Sequence, residues 1–502
     1  MKLRTIQQPS KYQKAIYKVF QLTRRNISIS AVAGAGKTTV LLELLKYVPE
    51  GERSLFLAFN NSIVDELKVR NTRRDATIMT IHSCGWRAIL CRYGGRVRMN
   101  PNKGIAKTEQ AIRALGADEL KRGYYFYIVP QILDLMRCNL CPNDEESITR
   151  LLLHYDINAD PTDIKVARRA FEYMTADHSQ FDFMDMIYVP VTDASVRLQK
   201  YDIVFCDESQ DFSIAQQEFI KSTLSRRGRL ITVGDPHQAI YGFAGADADS
   251  YERLSTLCGA SVKMPLSVSY RCARKIIAEA QKIVPEIMSA PDAEEGAVWD
   301  DGSLTELREG DWILCRNLRP LVATWLWLTK NKIKSVIRGR DIGAGIINLI
   351  EKTGVKSSLE GLRRGLATEE GKLLTRLKAR GVRHPAVHPK MELFTQRQEV
   401  ILALAEEVDN VEELIKLVNS IFSDDTAKKE IILSTIHKSK GLENDRVFFL
   451  IPELIPSRFA TMDWQLEQEE NLRYVATTRA RRELIYVHSR QFLEDLKNKV
   501  IL

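Results

Sequence analysis

Residues 31–38, Ala-Val-Ala-Gly-Ala-Gly-Lys-Thr, lie between a strand-like run, Asn26-Ile-Ser-Ile-Ser30, and a helix-like run, Thr39-Val-Leu-Leu-Glu-Leu-Leu45. A loop of small residues at a strand-to-helix junction lets successive backbone N–H groups close around phosphate, and the helix that follows directs its positive end at the same point. The segment predicts a nucleoside triphosphate site. The backbone from Ala33 through Gly34, Ala35, Gly36, Lys37 and Thr38 to Thr39 would cradle the phosphates, Lys37 would add a point charge, and Thr38 would hold Mg2+. The full spacing pattern asks for glycine at position 31, where this chain has Ala31. A glycine-rich turn without a ligand is the bland alternative, and motifs farther along the chain weigh against it.

Short β-branched runs recur ahead of motif-like loops at Ser54–Phe59, Tyr201–Cys206, Arg229–Val233, Arg446–Ile451 and Glu483–Val487, with helical periodicities between them. This is the α/β pattern of parallel sheets covered on both faces. At 502 residues, 44% hydrophobic and 27% charged, the chain can bury several cores. Two sheets are expected, over about 1–260 and about 261–502. Each is interrupted by a mainly helical stretch, 87–178 in the first and 343–428 in the second.

Asp207-Glu208-Ser209-Gln210-Asp211 directly follows the apolar run ending at Cys206, so its acids emerge where open α/β sheets place their ligands. Asp207 suits Mg2+ held through water, and Glu208 suits a base that takes a proton from the attacking water. Helix capping is the ordinary alternative for such acids. The run Gly234 to Asp247 follows another apolar strand and combines an amide, two aromatics and several glycines. Gln238 is suited to sensing a terminal phosphate or the attacking water. Tyr241 and Phe243 offer flat faces for unstacked bases, a contact of ~1–3 kcal/mol each, and equally fit core positions.

The net charge of +8 suits a polyanionic partner without proving one. Most of the surplus sits between Lys356 and Lys390, with nine Lys or Arg against three acids, a stretch that fits a solvated helix face as well as a nucleic-acid contact. No signal-peptide core or membrane-spanning apolar run is visible, and eight cysteines without disulfide-scaffold spacing fit a reducing, intracellular setting. Cys84, Cys91, Cys138 and Cys141 fall in one region. A zinc or iron–sulfur site is conceivable there, and ordinary buried thiols are favoured.

Taken together, these motifs resemble the UvrD/Rep-like helicases of superfamily 1A, and the likeness runs from Gln13 to about Leu484. Ala-Gly-Ala-Gly-Lys-Thr is that family's usual phosphate loop, which accounts for Ala31. The resemblance implies two RecA-like P-loop domains: a first domain over 1–86 and 179–260 with insertion 87–178, and a second over 261–342 and 429–502 with insertion 343–428. By the same likeness, Gln13 reads the adenine, Tyr270 in Leu266-Ser-Val-Ser-Tyr-Arg271 stacks on it, and Glu443 meets the nucleotide sugar. Arg271, and Arg479 in Glu469-Glu-Asn-Leu-Arg-Tyr-Val-Ala-Thr-Thr-Arg-Ala480, reach the phosphates across the cleft, where a planar guanidinium stabilises transferring charge. Phe59 and Asn61, Thr80 and His82, and Thr435 and His437 resemble the segments that contact single-stranded DNA. Phe181-Asp-Phe183 fits the return from the first insertion. One departure is Phe243-Ala244, where many members have Trp-Arg, so grip on the strand at that step should be weaker.

The family resemblance implies ATP- and Mg2+-dependent translocation on single-stranded DNA and duplex unwinding, with 3′→5′ polarity. Its setting would be DNA replication, repair or recombination. ATP would bridge the two sheet-bearing domains, and alternating grip would convert closure into stepping. An ATP-gated protein that remodels DNA complexes without processive unwinding is the alternative. With 23 residues after Arg479, a helicase–nuclease would need its nuclease on a partner chain, of ~100 residues or more. An RNA track is the remaining rival. The chain is expected to act as a monomer on single-strand/duplex junctions, with loading or repair proteins as partners. It is expected in the cytoplasm, at the nucleoid, or in host cytoplasm should it be viral.

Overall fold

The computed structural model describes residues 9–58, 61–95, 97–118, 122–155, 157, 159–242, 245, 247, 249–379, 389–424 and 430–497. The apolar runs read from the sequence become strands of two parallel sheets in two compact units, which divide after Val268. In the first unit the strands are β1 (Asn26–Ala31), β2 (Ser54–Ala58), β3 (Thr77–Thr80), the short mutually paired β4 (Arg98–Met99) and β5 (Gln180–Phe181), β6 (Tyr201–Cys206), β7 (Leu224–Gly234) and β8 (Ser261–Leu266). Six of them form one sheet in the order β3-β2-β6-β7-β1-β8. Every residue of β2 is buried, as expected of a strand covered on both faces. Because all pairings are parallel, β1, β6 and β7 end on one edge of the sheet, and that edge carries the phosphate loop, the acid pair and the 236–247 loop.

Residues 261–266, assigned from sequence to the second half, close the first sheet as β8 against β1. Pro265 is tolerated there because an edge strand need not donate on its outer side.

Between β3 and β6 the chain adds helices Lys103–Leu115, Arg122–Cys138, Glu145–His154 and Pro161–Ala176. They share a core of their own that includes Tyr125, Ile128, Ile132, Met136, Ala167 and Phe171. Helix Ile81–Tyr93, which crosses the expected boundary at 87, belongs instead to the sheet's core through Ile81, Cys84 and Ile89. A buried charge cluster ties the insertion to the segment that re-enters the sheet domain. Arg137 Nη1 lies 2.6 Å from Asp182 Oδ1 and 3.1 Å from Asp185 Oδ1, and Lys103 Nζ lies 2.7 Å from Asp185 Oδ2. Removing one member would strand the opposite charge out of water, at a cost of about 3–5 kcal/mol.

At the division between the units β9 (Val268–Ser269) pairs with β10 (Met288–Ser289), and the second unit continues with β11 (Ala297–Trp299), β12 (Trp312–Cys315), β13 (Ser335–Ile337), β14 (Ile431–Thr435), β15 (Asn444–Leu450) and β16 (Ala480–Val487). The last six form a parallel sheet in the order β11-β16-β15-β12-β14-β13. Helices Arg340–Lys352, Leu359–Ala379, Pro389–Ala405 and Val411–Ile421 intervene between β13 and β14, and their Ile346, Leu366, Ile401 and Leu414 join the core that also holds Ile313 and Leu433 of the sheet. No helix among the described residues is long and apolar enough to cross a membrane.

Candidate active site

The loop after β1 turns through Gly34 (φ 72°) and Gly36 (φ 80°), a left-handed backbone that suits residues without a Cβ. Helix Lys37–Lys46 follows, seated by buried Val40, Leu41, Leu44 and Leu45. No side chain caps it, unlike the helices begun by Ser10, Thr80, Ser213 and Thr435. The N–H groups of its first turn therefore face the loop without a side-chain acceptor.

Two contacts join this loop to the acids after β6. Lys37 Nζ lies 2.7 Å from Glu208 Oε2, and Thr38 Oγ1 donates to Asp207 Oδ2 at 2.7 Å. Burial by itself disfavours the charge on Lys37, but Glu208, Asp207 and Asp235 outweigh it and hold the ammonium above its ordinary pKa. Burial first, then repulsion from Glu208, pushes the Asp207 carboxyl up to about 6 against the pull of Lys37. A divalent cation would relieve that strain. The Thr38 hydroxyl and the Asp207 carboxylate are hard oxygen donors of the kind Mg2+ takes, so the residues present fit that ion. Glu208 sits at φ 54°, a left-handed conformation that a non-glycine residue adopts at a cost of about 1–3 kcal/mol and that recurs at functional sites.

Gln238 reaches the same edge. Its Nε2 donates to Asp235 Oδ2 at 2.7 Å, and both residues are buried. Burial raises the Asp235 carboxyl, with Lys37 opposing.

Gln13, in helix Lys11–Leu22, has its Oε1 taken by the Ser10 N–H at 2.9 Å in a capping box. Its Nε2 is buried and, among the described residues, has no hydrogen-bond partner. An orphaned buried donor is costly and rare in a folded protein, and an acceptor such as a purine ring nitrogen would satisfy it.

In the second unit Arg271 and Arg479 are neighbours. Arg271 Nε lies 2.5 Å from Glu443 Oε2, and its Nη1 donates to the Thr478 carbonyl at 3.4 Å. Arg479 is 1% exposed and donates to the carbonyls of Val475 and Leu442. Burial foremost, then Arg271, lowers the Arg479 guanidinium to about 9. Glu443 also faces Arg481 at 3.6 Å, so its carboxylate is shared between two guanidinium groups. Tyr270, half-buried, follows β9 directly.

The expected strand-contacting residues fall on matching positions of the two sheets. Thr80 ends β3 and caps helix Ile81–Tyr93, and Thr435 ends β14 and caps helix Ile436–Ser439. Each is followed two residues on by a histidine, His82 and His437, both half-buried. Burial lowers both imidazoles, His437 to about 3 with Arg316 and Lys440 adding to the effect. Asn61 is exposed at the start of helix Asn61–Arg70, and Tyr241 is half-buried. Phe59, Phe243 and Ala244 lie outside the described residues.

Phe183, which the sequence reading used only as a boundary marker, is 57% exposed, with its ring 6.5 Å from that of His82 in an edge-on arrangement. An exposed aromatic beside an expected strand contact is a further candidate for stacking on a base. The alternation Phe181-in, Phe183-out was the available signal, since Phe181 is fully buried.

Of the basic stretch, Arg363, Arg364, Lys372 and Lys378 lie exposed on helix Leu359–Ala379, with Arg364 and Lys372 paired to acids on the same helix. Residues 380–388 lie outside the described residues. Cys84 and Cys138 are buried, Cys141 is half-buried and Cys91 is exposed. Among the described residues, no group of three or more His, Cys, Asp or Glu is arranged to hold a metal ion.

The family model of the UvrD/REP helicase N-terminal domain matches residues 12–258, and that of the UvrD-like helicase C-terminal domain matches residues 373–491. The chain is 23% identical to F-box DNA helicase protein 1 of Schizosaccharomyces pombe, over 91% of this chain and 55% of that protein. It is 26% identical to the ATP-dependent DNA helicase PcrA of Leuconostoc citreum, over 53% of this chain and 38% of that protein. It is 25% identical to the probable DNA helicase II homolog of Mycoplasma capricolum, over 50% of this chain and 38% of that protein. The matched part is thus about half of the first relative's length and less of the other two.

Proposed function

The chain belongs to the UvrD/REP helicase family, and on that premise we propose that it is an ATP-hydrolysing single-stranded DNA translocase and DNA helicase of 3′→5′ polarity. The observation that carries the reading is the convergence of Lys37, Thr38, Asp207, Glu208 and Gln238 on the carboxyl-terminal edge of one parallel sheet. A triphosphate-binding module that never hydrolysed its ligand would have no use for the second carboxylate.

In this reading the phosphate loop and Lys37 orient the triphosphate, with Lys37 exchanging Glu208 for phosphate oxygens. Thr38 and Asp207 would hold Mg2+, which would supply positive charge against the triphosphate. Glu208, released from Lys37, accepts a proton from water as its oxygen attacks the γ-phosphorus and the bond to the β,γ-bridging oxygen breaks, leaving ADP and inorganic phosphate. Gln238 orients that water or senses the terminal phosphate. The base is read by Gln13 and stacked on Tyr270, and Glu443 meets the sugar. Arg271 and Arg479 supply positive charge to the transferring phosphoryl group. Asn61, Thr80, His82, Tyr241, Thr435 and His437, with Phe183 added, hold the single strand largely without sequence preference. DNA replication, repair or recombination is the proposed setting, with single-strand/duplex junctions as substrate.

The test is ATPase activity with and without single-stranded DNA, together with strand displacement from duplexes carrying either a 3′ or a 5′ tail. Stimulated turnover with opening of the 3′-tailed duplex is expected. Stimulated turnover with no opening of any tailed duplex would favour ATP-gated remodelling of DNA complexes instead, and no stimulation at all would remove both readings.

A further inference from the structure

We propose that Gln210 is a positioning residue that joins the start of the loop after β7 to the base Glu208, so that strand binding at that loop reaches the hydrolysis step through its amide. The inference rests on the reading that Glu208 is the base and that the loop meets the strand.

Gln210 is 2% exposed and makes three hydrogen bonds that fix both ends of its side-chain amide. Nε2 donates to Glu208 Oε2 at 2.7 Å and to Asp211 Oδ2 at 3.2 Å, while Oε1 accepts from the backbone N–H of Asp235 at 3.0 Å. Turning the amide over would set an oxygen against two carboxylates and an NH2 group against an N–H, so only one orientation is tolerated. Gly234 leaves the amide no room to slide, because a Cβ there would lie 2.8 Å from Gln210 Oε1 and 2.3 Å from Ser209 Oγ.

Asp235 is where β7 gives way to the loop, and its carboxylate holds Gln238. The far end of the loop is stitched to the same acidic segment. Asp247 N donates to the Phe212 carbonyl at 3.3 Å, Gln217 Nε2 donates to Asp247 Oδ2 at 2.9 Å, and Ser250 Oγ donates to the Ser209 carbonyl at 2.7 Å. Both ends of the loop therefore bear on residues 209–212, and the end beside Gln238 does so through Gln210. A displacement of the loop by a bound strand shifts the Asp235 N–H, turns the Gln210 amide and re-aims the Glu208 carboxylate, which already sits in a conformation of limited intrinsic stability.

The experiment uses the full chain with Gln210→Ala, Gln210→Asn and Gly234→Ala. It measures kcat and KM for MgATP with and without an oligo-thymidine strand, the Kd for that strand, and the melting curve. The ratio of stimulated to unstimulated kcat is expected to fall about tenfold toward one, with KM and strand Kd within about twofold of wild type. Gly234→Ala reads the same device without removing the amide, and Gln210→Asn keeps the amide but shortens its reach. Folded variants that keep the wild-type ratio overturn the inference while leaving the parent reading in place. A wild-type chain that the strand does not stimulate removes both.

Discussion

Lys37 Nζ and Glu208 Oε2 stand 2.7 Å apart, which sets the cation proposed to meet phosphate directly against the carboxylate proposed as base. On that proposal each holds the other until a triphosphate arrives, and its binding and liberation of the base are one event. Glu208→Gln should retain ATP binding and lose turnover by at least about 100-fold, within the range that a positioned base contributes. Lys37→Ala should lose turnover and also weaken binding, since it removes the cation that Asp207, Glu208 and Asp235 share. Steady-state ATPase and fluorescent-nucleotide titration separate the two, and a Glu208→Gln protein with normal turnover would remove Glu208 from its role.

Gln13 presents a buried amide nitrogen that meets no acceptor among the described residues. If the adenine supplies one, Gln13→Ala should raise the KM for ATP about five- to tenfold, the equivalent of one hydrogen bond, while kcat changes little. The same substitution should leave the KM for a pyrimidine triphosphate nearly unchanged. An equal loss for both nucleotides would assign Gln13 to the capping box alone.

Phe183 is exposed enough that its loss should not disturb the core. Phe183→Ala should weaken binding of an oligo-thymidine strand by ~1–3 kcal/mol with no change in melting temperature. Anisotropy titration at fixed salt reads the affinity. An unchanged Kd would make the ring a cover for His82 and nothing more.

His437 gives the pH dependence a definite sign. Its folded-state pKa is depressed to about 3 from an ordinary 6.5, with burial the leading cause, so the unfolded chain binds the proton more tightly. Its neutral form therefore contributes stability above pH 6.5 that is lost progressively as pH falls from 6.5 toward 3. Denaturation midpoints should drop less steeply over that window in His437→Gln than in the wild type. The imidazole resonance of His437 should show no titration between pH 8 and 5, and a midpoint near 6.5 would contradict the burial described here.

How far the sequence foretold this site follows from how local each signal is. Lys37, Asp207 and Glu208 were legible because small-residue loops and acids placed just after an apolar strand announce themselves over a few residues. Arg137 and Lys103 were not, since each sits in an amphipathic helix where a cation reads as surface, and only tertiary packing shows that both are buried against Asp182 and Asp185. The same holds for β8, where Lys263 and Pro265 argue against a strand and pairing with β1 overrides them. Gln210 receives no role from the sequence, because nothing in a linear reading places the Asp235 amide above it.

The Arg137, Lys103, Asp182 and Asp185 cluster has a mechanical corollary. Buried charges resist exchanging their partners for water, so this cluster opposes opening where the helical insertion meets the segment that re-enters the first sheet. A shift of the segment that carries Phe183 is thereby passed on to the insertion, as by the arm of a lever fixed to its axle.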